Sequence, residues 1–279
     1  TSQMWVGTDE GMRRFDGSVF TTMSAEELSA EATTALAEDR AGTVWVGTTH
    51  GLRALRGEGV EYIALGQEGS SSAVERLFIA ENDNVWIGMD DGLIHRSGDA
   101  QKRYDKKALL GLSDSLAQRT PQTRSTLVDS SFVRAFLQDR RGAIWVATAQ
   151  GLLQYSDGRF HAFTTRDGLP SDELQTLVED EQGLLWIATA NGLSAYDGRA
   201  FTNYSTAQGL PSNWINDLFI SREGSLWIAT PRGLSQHADS AFRTFAQRDG
   251  IKSSAVQRVS ETEDGTLWIV TDQGITLRR

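Results

Sequence analysis

The sequence has no cysteine and only four histidines in 279 residues. Without cysteine there is no disulfide, no thiolate nucleophile and no cysteine-ligated zinc. The compartment stays open, because exported bacterial proteins also dispense with cysteine. His50, His95, His161 and His237 share neither a repeat position nor a metal-ligand spacing. Positive charge is scarce as well: 27 Lys and Arg face 37 Asp and Glu, a net of −10. An acidic surface repels phosphate backbones and anionic headgroups, so neither nucleic acid nor direct membrane insertion is expected. No apolar run approaches the roughly eighteen residues of a membrane span. Residues 1–5 do not read as a signal peptide. Phosphate-cradling loops and nucleophile elbows are also missing. These gaps argue against an enzyme and against a bound cofactor or metal. The chain begins almost inside a repeat, which reads as a domain trimmed from something longer.

What the sequence does contain is a repeat. Seven tryptophans, Trp5, Trp45, Trp86, Trp145, Trp186, Trp227 and Trp268, are spaced by 40, 41, 59, 41, 41 and 41 residues. Each is followed by Val or Ile, then by Gly, Ala or Val, and usually by Thr; a Gly and an apolar residue come shortly after. A period near forty with four short strands per unit is a propeller blade. In the fifth unit the spacing predicts strand A over Leu174–Glu179, B over Leu184–Thr189, C over Leu193–Tyr196 and D over Phe201–Tyr204, with A innermost. Asp180–Gly183, Ala190–Gly192 and Asp197–Gly198 make the turns. In strand B, Trp186 and Ala188 point one way and Leu185 and Ile187 the other. Both faces are apolar, so neighbouring blades must cover them, and the small residue beside each Trp leaves room for the neighbour's bulk. All seven repeat tryptophans are therefore expected in the core. The fold class is all-β, a seven-bladed propeller. Its first blade lacks strand A and its last lacks strand D, which reads either as three-stranded end blades or as flanks missing from the parent protein. One domain over residues 1–279 is expected, because units that bury nothing alone must stack.

The unit from Asp180 to Gly198, and the interblade segments Asp167-Gly-Leu-Pro-Ser171 and Gln208-Gly-Leu-Pro-Ser212, closely resemble the two-component regulator propeller repeat. The resemblance implies a sensor propeller outside the inner membrane, in a periplasmic or other extracytoplasmic location. There it serves as input to a histidine kinase or a diguanylate cyclase. A homodimer of the parent receptor is a further expectation.

Antiparallel order puts A–B and C–D turns on one face and B–C and D–A loops on the other. The first face is built from tight turns such as Asp39–Gly42, Asp139–Gly142, Asp16-Gly17 and Asp157-Gly158, whose aspartates read as turn caps rather than calcium ligands. The second face carries the variation. Its B–C tips are Asp9-Glu10, Thr49-His50, Asp90-Asp91, Ala149-Gln150, Ala190-Asn191, Pro231-Arg232 and Asp272-Gln273. The long Trp86–Trp145 spacing exceeds 41 by 18 residues and places an insertion at about 105–131 on the same face. Trp214 stands outside the repeat at the start of strand A, where it either stacks on a ligand or plugs the core. Strand A also carries a polar column eleven residues before each Trp, namely Thr34, Glu75, Arg134, Gln175, Asn216 and Gln257. It lines either a hydrated channel or a ligand.

Candidate ligand-binding residues are therefore Trp214, Arg134, Asn216, Gln175, Gln257, Glu75, His50, Gln150, Asn191 and Arg232. The expected ligand is a small polar molecule, most plausibly an oligosaccharide. The alternatives are a scaffold for a protein partner, or a propeller lyase or glycosidase.

Overall fold

The computed structural model describes residues 4–22, 31–57, 59–65, 73–111, 132–238 and 241–278. They form the seven blades of a β-propeller. Blade 1 is β1 (Met4–Thr8), β2 (Gly11–Phe15) and β3 (Phe20–Thr22). Blade 2 is β4 (Thr33–Glu38), β5 (Val44–Thr48), β6 (Gly51–Arg56) and β7 (Gly59–Ile63). Blade 3 is β8 (Val74–Ile79), β9 (Val85–Met89), β10 (Gly92–Ser97) and β11 (Ala100–Asp105), followed by the short helix α1 (Lys106–Gly111). Blade 4 is β12 (Val133–Gln138), β13 (Ile144–Thr148), β14 (Gly151–Ser156) and β15 (Arg159–Phe163). Blade 5 is β16 (Leu174–Glu179), β17 (Leu185–Thr189), β18 (Gly192–Tyr196) and β19 (Phe201–Tyr204). Blade 6 is β20 (Asp217–Ile220), β21 (Leu226–Thr230), β22 (Gly233–Ala238) and β23 (Ala241–Phe245). Blade 7 is β24 (Val256–Glu261), β25 (Leu267–Thr271) and β26 (Gly274–Arg278). Each sheet is ordered as in the chain, and the first and last have three strands. The chain divides into two compact units, residues 1–133 and 134–279.

Within each unit, blades pack face on face. In blade 5, Trp186, Ala188, Leu193 and Ala195 meet Ile215, Leu218, Leu226 and Ile228 of blade 6. Trp145, Ala147 and Leu152 meet Leu174, Leu177, Leu185 and Ile187 in the same way. In blades 1 to 3 the residue two after the Trp is Gly, and this approach requires it. A Cβ on Gly47 would lie 2.5 Å from Val74, and one on Gly7 would lie 2.6 Å from Thr33.

Three polar devices fix the local geometry. In the A–B turn, Asp180 accepts the backbone N–H groups of Gln182 and Leu184 on one oxygen and the Trp186 indole N–H at 2.9 Å on the other. Asp39 with Trp45 and Asp139 with Trp145 repeat the arrangement. Burial pushes the Asp39 pKa up, but the Trp45, Thr43 and Ala41 hydrogen bonds outweigh it and leave the carboxyl below its ordinary value. In the B–C turn, the Thr of the repeat donates to the Gly carbonyl three residues on and accepts the N–H two residues on. Thr189 does this with Gly192 at 2.8 Å and Asn191 at 3.1 Å. Finally, Arg140 and Arg222 reach from one A–B turn to the next blade. Their backbone N–H groups donate to Glu179 and Glu261, at 2.9 and 2.8 Å, and their guanidinium groups to the carbonyls of Glu181 and Glu263.

Two expectations need correcting. Trp45, Trp86, Trp145, Trp186 and Trp227 are buried, but Trp5 is half-buried and Trp268 is 37% exposed. Trp268 sits in the three-stranded last blade, where no following blade of its unit covers its face. Trp5 sits in the blade that lacks strand A. Trp214, in turn, precedes β20 rather than lying in it, and is 43% exposed. The insertion begins as α1, with Leu109 buried; residues 112–131, including Arg119, Pro121 and Arg124, lie outside the described residues.

Candidate functional site

The Thr–Gly device explains why the B–C tips can vary. Backbone shape is set by Thr8, Thr48, Thr148, Thr189, Thr230 and Thr271, so the turn itself does not depend on the tip side chain. His50, Asn191 and Arg232 are exposed and Gln150 is half-buried. Thr49 Oγ1 lies 3.0 Å from His50 Nδ1.

The D–A loops of the second unit are equally well formed. Asp167 accepts the backbone N–H and hydroxyl of Thr164, and Gln208 does the same for Ser205. Gly168, Gly209 and Gly250 take positive φ at 111°, 106° and 93°, which only glycine adopts without strain. The apolar residue that follows, Leu169, Leu210 or Ile251, plugs into the core and pins each loop.

These loops bring three polar or aromatic groups together. Asn191 at the blade 5 tip donates to the Pro170 carbonyl at 3.3 Å, and its Oδ1 accepts from Asn213 at 3.5 Å. Gly192 N–H donates to the Asn213 carbonyl at 2.7 Å. Asn213 Oδ1 accepts the Thr206 N–H, and the next residue is the exposed Trp214, whose N–H donates to Ser212 Oγ. The exposed Trp214 thus follows directly on Asn213, whose amide is tied to the blade 5 tip and to its own loop. Of the residues expected from sequence, Asn191 and Trp214 are joined here. Asn213 was missed, although its position next to an off-repeat Trp could have drawn attention.

The polar column sits at a shared irregularity of strand A. Thr34, Glu75, Gln175 and Gln257 occupy the irregular position where strand A slips register against strand B. Thr34 Oγ1 donates to the Val74 carbonyl, and Asn216 Nδ2 donates to the Val256 carbonyl at 2.7 Å. Part of the column thus clamps one blade to the next. Glu75, Arg134 and Gln175 are half-buried and Gln257 is exposed. Beside Asn216, Asp217 Oδ2 accepts the Val259 N–H at 3.1 Å. Burial raises the Asp217 pKa, against the pull of that bond and of Arg258.

Clefts also open on the opposite face. One of about 400 Å³ lies between the turns of blades 4 and 5, lined by Asp139, Arg141, Gln154, Asp157, Glu179 and Asp197 among others. A smaller one of about 250 Å³ repeats it between blades 6 and 7. Among the described residues no group of three or more His, Asp or Glu is arranged to hold a metal ion, and no helix is long and apolar enough to cross a membrane.

His237 and His95 set a pH dependence. His237 of blade 6 packs on Trp186 of blade 5 with ring centroids 5.1 Å apart, and also on Tyr204 and Phe242. Burial lowers its pKa, with Asp180 pulling the other way. His95 stacks on Trp86 at 4.3 Å, and burial, then Lys102, lowers its pKa. Below about pH 6.5 the unfolded chain takes up protons that these folded side chains resist. Stability should therefore fall as pH drops from about 6.5 and level off beneath the folded pKa values. Urea midpoints at several pH values between neutrality and mild acid test this. Phe at both positions should flatten the curve in that window, and a wild-type midpoint that does not move there would contradict the assignment.

The comparisons with known proteins agree with this architecture. The two-component regulator propeller model matches residues 27–50, 127–150, 168–191 and 209–232, so four of the seven blades carry a segment of this repeat type. A search of curated proteins found no match. Among solved structures, the extracellular domain of a protein described as a hybrid two-component system from B. thetaiotaomicron is 20% identical. It aligns over 98% of this chain and 37% of its own, with a TM-score of 0.69. PorZ, a surface component of the type-IX secretion system of Porphyromonas gingivalis, is 12% identical over 99% of this chain and 44% of its own, with a TM-score of 0.68. Virginiamycin B lyase from Staphylococcus aureus is 12% identical over 99% of this chain and 88% of its own, with a TM-score of 0.62. At these identities the likeness is one of fold. The chain spans little more than a third of the first of these relatives.

Proposed function

With four blades that carry two-component regulator propeller segments as its premise, the chain is, we propose, the ligand-binding input propeller of an extracytoplasmic sensor, and is not itself catalytic. The ligand is a small polar molecule of the oligosaccharide class, bound on the face of the B–C tips and D–A loops. The observation that carries this reading is Trp214, an exposed indole next in sequence to Asn213, whose amide is hydrogen-bonded to Asn191 and to the loop backbone. A flat aromatic surface with a few aimed donors and acceptors suits a sugar ring, whose faces are apolar and whose rim is hydroxylated. The loops are already formed, so little ordering cost falls on binding. A match to an extracellular sensor domain supports the location and the role. Binding beside the blade 5–blade 6 seam could change how those blades pack, which is how a chain without catalysis would report occupancy.

A glycan and metabolite screen by calorimetry tests the proposal. Trp214→Ala should weaken a hit by about tenfold or more, since a lost aromatic contact costs on the order of 1 kcal/mol or above. The same variant should unfold close to wild type, because the indole is exposed. Hits indifferent to Trp214→Ala and Asn213→Ala would move the site elsewhere. Binding of a purified protein and no small molecule would favour the scaffold reading.

A further inference from the structure

The seams between neighbouring blades form an internal comparison. Two positions separate closed seams from open ones: the residue nine after the Trp of one blade and the residue seven before the Trp of the next. In the seams of blades 2–3 and 5–6 these are Ala54 with Ile79 and Ala195 with Ile220, and both pairs join the apolar cluster around the indole. In the seams of blades 4–5 and 6–7 they are Gln154 with Glu179 and Gln236 with Glu261. Those two seams stay open, as the clefts of about 400 and 250 Å³. Trp, Gln, Glu, Gly and Leu line both at the same repeat positions, so the cleft is a repeated feature of the fold rather than a packing defect.

Arginines of the chain itself show what these seams accept. In the 2–3 seam the Arg96 guanidinium lies over the Trp45 ring at 5.9 Å and pairs with Asp99 at 3.2 Å, with 12% of its side chain exposed. In the 6–7 seam Arg243 lines the cleft and lies over Phe245 at 4.8 Å. Blade 5 has Tyr196 at the position of Arg96, and blade 4 has His161 at the position of Arg243. No arginine occupies either position in the 4–5 cleft, and Arg141, which also lines it, is exposed.

Four carboxylates line this cleft against that one guanidinium. Asp139 is fully committed, to the Arg141 and Ala143 N–H groups and to the Trp145 indole. Glu179 gives Oε2 to the Arg140 N–H, and Asp197 gives Oδ1 to the Arg199 and Ala200 N–H groups. One oxygen of each is left for a ligand. Asp157 spends neither oxygen among the described residues. Gln236 Nε2 is tied to Ser225 Oγ at 3.0 Å, but blade 4 has Ala143 in place of that serine, so the Gln154 amide has no such anchor.

We propose that the blade 4–5 cleft binds a guanidinium group carried by a ligand, held by the Glu179, Asp157 and Asp197 carboxylates with the Gln154 carbonyl and the Tyr196 ring beside it. A guanidinium has five N–H donors in a planar fork that suits several oxygens at once, and its face stacks on an aromatic ring. The group has two sources, a small guanidino compound or an arginine side chain of a polypeptide. The cleft is on the face of the A–B and C–D turns, away from the Trp214 loop, so this inference stands or falls independently of the sensor reading.

N-acetylargininamide, which has no carboxylate of its own, is the probe, followed by calorimetry and by amide NMR shifts. Binding should saturate, with the largest shifts at Gly142, Gly183 and Gly198, which line the cleft. Combining Asp157→Asn with Glu179→Gln should weaken it by about tenfold, as for the loss of charged hydrogen-bond partners. Asn tolerates the left-handed backbone of Asp157, at φ 51°, and Gln keeps an oxygen for the Arg140 N–H. Arg141→Ala should tighten binding by removing a like charge, and it carries the test if the double variant fails to fold. No saturable binding would overturn the proposal, and so would an affinity indifferent to these substitutions, which is what an acidic surface attracting cations at large would give. A capped Gly-Arg-Gly peptide that binds more tightly than the probe would assign the group to a polypeptide; equal binding would assign it to a small guanidino compound.

Discussion

Trp186→Ala should lower the unfolding free energy by about 3–5 kcal/mol, the usual cost of truncating a large buried aromatic. The indole is in van der Waals contact with blade 6 through the Ile215–Leu218–Ile228 cluster and has the His237 and Tyr204 rings beside it. Its N–H satisfies a buried oxygen of Asp180, which truncation would leave without that partner. Trp268→Ala is the control. The same residue type in the same repeat position is 37% exposed, so its loss should cost roughly 1–2 kcal/mol, in proportion to the smaller area it removes from water. Urea titrations of both variants, with slopes compared to check that cooperativity is kept, give the two numbers. Equal losses would place Trp268 in a packed core and contradict its exposure.

Gly192→Ala should be comparably severe, at about 3 kcal/mol or more, from one added methyl group. At Gly192 the backbone has φ 115°, and a Cβ would lie 2.5 Å from the Tyr204 carbonyl oxygen. Neither group can retreat, because that carbonyl belongs to the end of β19. Backbone strain of about 1–3 kcal/mol and a direct clash therefore add. Gly198, a few residues away in the same blade, also has positive φ at 91° but has nothing within 4 Å of its Cβ position. Its Ala variant should pay the strain alone, about 1 kcal/mol. Thermal melts of the pair separate conformational strain from steric exclusion. A similar loss at both sites would show that strain alone governs the repeat's glycines.

The blade count, the strand order and the missing strands at each end were legible because a Trp recurs at a near-fixed period and each blade repeats the same turn chemistry. In blade 5 the expected strands agree with the observed ones to within a residue. What the sequence did not reveal depends on contacts between repeats. Nothing local marks Trp268 as less buried than Trp227, because its cover would have to come from a blade distant in sequence. The polar column reads as lining a hydrated channel or a ligand; the spacing does not show that Thr34 and Asn216 also donate to the next blade's carbonyls. A side chain's direction at a register slip is not encoded in spacing. The Asp–Trp bond was within reach, since Asp39, Asp139 and Asp180 each stand six residues before a Trp. It was hidden because those aspartates already had a sufficient role as turn caps. Asn191 and Trp214 were both singled out from sequence, but their meeting through Asn213 could only be seen in three dimensions.

The uneven burial of the indoles also makes the protein its own optical instrument. Five repeat tryptophans are sealed in apolar surroundings and should emit toward the blue and resist a collisional quencher such as acrylamide. Trp214 and Trp268 face water and should emit toward the red and be quenched readily. Replacing Trp268 and the half-buried Trp5 with Phe would leave Trp214 as the principal quencher-sensitive fluorophore, located at the proposed seat of the ligand. A titration could then be followed in intrinsic emission with no attached dye, and shielding of that red component would report occupancy of one loop.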